Sequence, residues 1–323
     1  MNSISIYSSA SEQADGSPEQ QELAKVASLR WGRLVFLIAS LLIYGFLLLY
    51  PLWSDTDPKK KNSYQRTENL RGRVKTHLSR GYEPISWEHP LGTDEEGRDL
   101  LIRLSHGARL SLFIGLISTV TFLLFGISLG VVTGYGRESW WRSLVFYIYN
   151  IFNTFPLLLF MLLAVIIVEW FIVEQSIRIS TYMILFGIIS SPKLAELIRG
   201  KIATLKKTAY VHAAVALGLS PWRIIGRHLL WYECRPLIVV QGAYIFGQAI
   251  LVEVTLTYLK FGVEETPNGI ISWGLMARNM AGKVFTGEYY FFVVMAVVAL
   301  VVFSFHSLAE LLNDVYLLRK SRI

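Results

Sequence analysis

The stretch of this sequence richest in chemical information is one that crosses no membrane. Residues 210–231 read YVHAAVALGLSPWRIIGRHLLW. They are too charged for a bilayer and too regular for slack loop. Helical rules divide them into two short helices. Thr208 is placed to cap the first, whose apolar face takes Val211, Ala214, Val215 and Leu217. Gly218 stands where a helix C-terminus needs positive φ. Ser220 then caps a second helix with Pro221 at its first position, and Arg223, Arg227 and His228 follow within it. Such a knob has two uses. It can transmit force from a docked partner into the helices it joins, or it can lie on anionic headgroups as an interfacial helix. The residues alone leave both open.

A second group of polar side chains sits inside apolar runs. Asn150, Asn153 and Thr154 share one helical face. Polar groups in hydrocarbon are costly unless satisfied, so this face either lines a translocation path or hydrogen-bonds a neighbouring helix. Gln241 and Gln248 are seven apart on one face and carry the same two readings. Glu253 stands roughly 24 Å along its helix, near the outer surface. There it lines an outer gate or anchors the following loop through backbone N–H groups. No catalytic constellation accompanies these positions. G-x-x-x-x-G-K-[ST] is missing, so the chain cannot cradle ATP phosphates itself. The six histidines show no H-E-x-x-H spacing, and the single Cys234 excludes a disulfide framework and a multi-cysteine metal site. No metal or cofactor is therefore assigned to this chain.

The elements that hold these residues are membrane helices. The chain has 323 residues, 53% of them hydrophobic, and a mean hydropathy of +0.43. Its apolar residues cluster into runs of spanning length, which gives an all-α, polytopic membrane protein. Six runs qualify, near 34–53, 110–132, 143–168, 177–198, 237–259 and 290–312. The third carries Pro156, tolerated in membranes as a kink. The fourth carries Pro192, Lys193 and Glu196, so its end extends beyond the lipid. Gly126, Gly130 and Gly134 form a flat stripe that fits tight packing within one subunit or an interface between two. The net charge of +7 lies beside the apolar runs, which points to the lipid bilayer and not to nucleic acid.

Orientation follows the basic residues. Lys193, Arg199, Lys201, Lys206, Lys207, Arg223, Arg227 and Arg235 face only Glu196 and Glu233 between spans four and five. Arg30 and Arg33 precede the first span, and Arg319, Lys320 and Arg322 end the chain. Both termini and 199–235 are therefore expected in the cytoplasm, against the pull of Lys59, Lys60 and Lys61 in the next loop. The chain then divides into a polar cytoplasmic tail (1–33), an anchor (34–53), and an external loop with an interfacial helix (54–109). A five-helix core including the 199–235 loop (110–314) and a basic tail (315–323) complete it. The polar lead is too long for a cleavable signal peptide.

Two stretches resemble a known family. HPLGTDEEGRDLLIRLSHGARLSL, at 89–112, is similar to the segment before the second span in the C-type permeases of oligopeptide, dipeptide and nickel ABC importers. Its own chemistry reads as a capping box from Thr93 to Glu96, with acids at a helix N-terminus and Arg98, Arg103 and Arg109 near the interface. GISLGVVTGY, TLTYLKFGVEETP and SWGLM continue the resemblance, with about four extra residues between Pro267 and Ser272. The 210–231 stretch resembles the Glu-Ala-Ala loop of the same permeases. Ala213, Ala214, Gly218 and the run from Arg223 fit the pattern, while His212 replaces its Glu and Trp231 its Pro. Asn150 replaces a family Asp, and Ala309-Glu310 a Gly-Asp pair, while Asp314 is kept. The resemblance implies a permease subunit of an ATP-driven importer in a bacterial inner membrane. It would carry peptides or a related small solute, nickel included. Its partners would be a second permease in a heterodimer, cytoplasmic ATPases that use ATP and Mg²⁺, and an external solute-binding protein. Tyr210, His212, Ala213, Ala214, Gly218, Pro221 and Arg223 would form the loop that docks on the ATPase. Asn150, Asn153, Thr154, Gln241, Gln248 and Glu253 are the candidates for the path. A self-sufficient secondary transporter or channel is the rival, without the paired buried acids or inverted repeat that class carries. A membrane enzyme would need a nucleophile–base or metal pattern, and none stands out.

Overall fold

The structure is a computed structural model. It describes residues 18–54, 57–60, 63–70, 73–135, 140, 143–145, 147, 151, 154, 156–264, 270–282 and 289–321. Helix α1 runs Pro18–Leu49 and ends in a 3₁₀ turn, Tyr50–Leu52. A hairpin follows, β1 Ser63–Leu70 against β2 Arg73–Arg80, antiparallel with Ser63 opposite Arg80. Its segment is mostly polar, without the apolar alternation that announces a strand. Helix α2 spans Leu100–Tyr135 without a break. Next come α3 Leu157–Phe171, α4 Gln175–Ser190, α5 Pro192–Leu205 and α6 Ala209–Ala216. The chain re-enters helix at Pro221, is π-helical over Ile224–Cys234, and continues as α7 Arg235–Tyr258. Helices α8 Trp273–Ala281 and α9 Tyr290–Ser321 complete it.

Among the described residues, five helical stretches are long and apolar enough to cross a membrane: Trp31–Leu52, Leu100–Tyr135, Gln175–Leu205, Pro221–Tyr258 and Tyr290–Tyr316. The third expected span, 143–168, is not among them: its later part is the shorter apolar helix α3, Leu157–Phe171. Pro156 stands at the N-cap of α3, where its missing N–H costs nothing; most of 136–155 lies outside the described residues.

The capping box at Thr93–Glu96 does not form, and among the described residues no separate interfacial helix precedes α2. Gly97 adopts φ +75°, which breaks any helix begun at Thr93. The Asp94 carboxylate instead accepts from the N–H groups of Glu96 and Arg98, both at 3.0 Å, and closes a tight turn. Asp99 caps α2, its Oδ1 accepting from the Ile102 N–H at 2.9 Å. Around this start, His89 Nδ1 lies 2.6 Å from Asp99 Oδ2, and Arg98 Nε lies 2.7 Å from Asp94 Oδ2. Charged groups as buried as Asp94 and Arg98 hold one geometry because any other would leave a charge unpaired.

Helix α2 is the axis of the core. One hydrophobic cluster joins it to α3, α4, α5 and the 205–229 segment through Phe122, Met161, Phe186, Leu194, Ile198, Ile202 and Leu229. The other joins its first turns to α1, α7, α8 and α9 through Leu104, Ala108, Tyr44, Ile250, Trp273 and Val298. The glycine stripe faces α5 of the same chain. A Cβ at Gly126 would lie 2.8 Å from Leu194 Cδ2, one at Gly130 2.8 Å from Ile198 Cβ, and one at Gly134 3.1 Å from Arg199 Cα. A Cβ at Gly134 would also lie 3.3 Å from Ile202 Cβ, so glycines four apart face Leu194, Ile198 and Ile202, themselves four apart. Of the two readings of the stripe, packing within the subunit is the one the structure adopts.

Candidate functional site

The 206–223 knob hangs from α5 and is tied to α2. Lys206 Nζ donates to the Tyr135 carbonyl, the last of α2, at 2.8 Å. The Lys206 carbonyl in turn accepts from His212 Nε2 at 3.0 Å, so that nitrogen carries the proton. Lys201 and Glu233, 3.4 Å apart, brace α5 against the π-helical segment. Thr208 occupies the N-cap position of α6, but its hydroxyl turns back to the Leu205 carbonyl and does not cap. Gly218 has φ +74° as expected. The Leu219 N–H bonds the Ala214 carbonyl at 3.2 Å and the Gly218 N–H bonds Val215 at 2.9 Å, which together make a Schellman turn. Ser220 and Pro221 open the next helix, though the Ser220 hydroxyl makes no cap bond.

The knob divides differently from the apolar face read in the sequence. Val211 and Ala214 are buried, but Val215 is 58% exposed and Leu217 81%. Ala214 therefore seats α6 on its own chain. The outer surface belongs to Tyr210, His212, Ala213, Val215, Ala216, Leu217 and Gly218, with Pro221, Trp222 and Arg223 beyond the turn. Leu217, which the sequence placed on the buried apolar face, and Trp222, which sequence reasoning missed, are each 81% exposed. Their signal was present: two large apolar side chains flank a glycine turn in a charged segment. Small side chains beneath a projecting apolar tip thus make an exposed apolar surface on a charged segment.

A cavity of about 400 Å³ opens in the bundle. Gln241, Tyr244 and Gln248 of α7 line it together with Phe122, Leu157 and Ile189. Ser190, Lys193 and His306, from three other helices, supply further polar groups. The two glutamines are thus brought together, as their spacing implied. Asn150 and Asn153 lie outside the described residues; Thr154 is helical and exposed. Glu253 is elsewhere. It is 4% exposed and accepts from Thr257 Oγ1 at 2.9 Å, while Thr257 Oγ1 also accepts from the Val263 N–H at 3.0 Å. Ser272 bonds the same carboxyl and caps α8. Glu253 therefore anchors the segment after α7, through two hydroxyl groups in place of the backbone N–H groups expected. Among the described residues, no group of three or more His, Cys, Asp or Glu side chains is arranged to hold a metal.

Comparison with known proteins places this geometry. Residues 126–315 match the family described as binding-protein-dependent transport system inner membrane component. A dipeptide transport system permease protein of Alkalihalophilus pseudofirmus is 35% identical over 207 residues, 64% of each chain. The dipeptide permease protein of Bacillus subtilis is 28% identical over 244 residues, 75% of this chain and 72% of that one. An oligopeptide permease protein of the same organism is 31% identical over 206 residues, 63% of each. The chain thus spans just under two thirds of the first of these relatives. Among solved structures, an inward-facing MetNI methionine ABC transporter shares the fold at a TM-score of 0.50 and 15% identity. That match covers 66% of this chain and 96% of the other.

Proposed function

We propose a function on the premise that the chain belongs to the family of binding-protein-dependent transport system inner membrane components. It is a permease subunit of an ATP-driven importer that moves peptides or a related small solute, as its dipeptide and oligopeptide relatives are named. The observation that carries this reading is the knob: an exposed apolar tip at Leu217 and Trp222, bonded through His212 and Lys206 to the end of α2. A surface made only to lie on lipid needs no such link. Cytoplasmic ATPases that bind ATP and Mg²⁺ dock here, and their closure moves α5 and α2. A second, different permease completes the path, of which Gln241 and Gln248 line one half. An external binding protein delivers the solute.

The test is assembly. Drawn from its native membrane, the chain is expected to bring an ATPase with it; purified alone, to bind no ATP and carry no solute in liposomes. Solute flux by the lone chain would replace this reading with the secondary transporter.

Orientation belongs to the same proposal. The basic bias of 193–235 supports both termini and the knob in the cytoplasm, with 54–109 outside. With Cys234→Ala, a Lys207→Cys variant is expected to resist an impermeant thiol reagent in intact cells and to react once the membrane is opened. Labelling in intact cells reverses the scheme.

A further inference from the structure

The cavity beside α7 carries more than its two glutamines. Lys193 lines it at the break between α4 and α5, where Pro192 interrupts the helix. Among the described residues no ion pair includes Lys193. Among the described residues, no acid lines the cavity. Two of the lining groups, Ser190 Oγ and His306 Nδ1, are buried atoms without a hydrogen-bond partner. His306 is fixed against the Tyr244 ring, edge to face with centroids 5.0 Å apart. Polar atoms buried without a partner are rare because each costs free energy that a ligand recovers. A cation among hydrogen-bonding side chains is a site for an anion of modest size: the ammonium supplies charge, and the amides, hydroxyls and imidazole supply donors.

We propose that Lys193, Ser190, Gln241, Tyr244, Gln248 and His306 form a carboxylate subsite within the path, which receives the free C-terminal carboxylate of a peptide in transit. The inference rests on the importer reading and narrows it to solutes that carry a carboxylate. A volume of about 400 Å³ accommodates the end of a peptide and its last side chain. Lys193 lies at the N-terminus of α5, the helix that leads to the knob. Movement of that helix therefore changes where the cation stands, and occupancy changes with the state of the transporter.

The experiment uses the chain purified with the subunits that accompany it, without binding protein. Acetyl-trialanine and acetyl-trialanine amide are added in turn, and the melting temperature is read. The acid is expected to raise it and the amide to leave it unchanged. Lys193→Gln is expected to abolish the difference and Lys193→Arg to keep it. Equal shifts with acid and amide, no shift with either, or a difference that survives Lys193→Gln each overturn the subsite. ATP-driven uptake of trialanine by the wild-type assembly is measured in parallel. Uptake with no discrimination in the melting experiment removes the subsite and leaves the importer standing; absence of uptake of any peptide removes the importer reading itself.

Discussion

Gly130→Val is expected to lower the melting temperature of the purified protein and its yield as a monodisperse species. A Cβ at this position would sit 2.8 Å from Ile198 Cβ and 2.9 Å from the Ala195 carbonyl oxygen. Neither neighbour is the end of a flexible side chain, so the helices must part. Overpacking of this kind costs roughly 3 kcal/mol, while the gain from removing a helical glycine is roughly 0.5–1 kcal/mol. Strain therefore wins. Truncation by Ile198→Ala leaves the offending Cβ and the carbonyl in place and is not expected to rescue it. Gly200 is the control: nothing lies within 4 Å of its Cβ position, and Gly200→Ala should hold or raise stability. If Gly130→Val melts where Gly200→Ala does, α2 and α5 are not in the contact described.

The second large effect is at the tip of the knob. Leu217→Asp and Trp222→Ala should each weaken docking of the ATPase about 30-fold, the consequence of roughly 2 kcal/mol lost at a central apolar anchor. Gly218→Val acts by another route. Space is open around it, so the cost comes from φ +74° alone, about 1–2 kcal/mol for a residue with a Cβ. The turn relaxes, the second helix is misaimed, and uptake falls while the spans remain inserted. Ala214→Trp disturbs the seat of α6 in its own chain, because Ala214 is 7% exposed and packs inward. His212→Glu is expected to loosen coupling, since a carboxylate cannot donate to the Lys206 carbonyl; His212→Gln, which can, should preserve it. ATPase coupling and uptake, measured at equal expression, decide the matter. Normal uptake by Leu217→Asp and Gly218→Val together would leave the knob a lipid-bound helix.

What could be read in the sequence follows from periodicity. Apolar runs gave the membrane helices, and Gly218 between two helical patterns gave the turn. Gln241 and Gln248 were placed on one face by spacing alone. What escaped depends on partners distant in the chain. The glycine stripe was visible, but its facing residues on α5 lie about 65 positions away. Thr93 to Glu96 had the composition of a cap, and a glycine two residues before the true cap, Asp99, overruled it. Val215 and Leu217 fit an apolar face by composition, yet on a helix of eight residues only Val211 and Ala214 find anything to bury against. The cavity draws on α2, α3, α4, α5, α7 and α9 at once, so no local pattern announces Lys193 or His306.

Helix α2 has a consequence beyond packing. It is 36 residues long, roughly 54 Å, and unbroken. One end is clamped by Trp273, whose Nε1 donates to the Leu104 carbonyl at 2.9 Å. The other end is held by Lys206. A stiff rod gripped at both ends makes the two ends thermodynamic partners. Whatever docks near the knob and favours one position of the rod changes the affinity at the far end by some factor. A ligand at the far end must then change the affinity at the knob by that same factor, whichever event comes first in time.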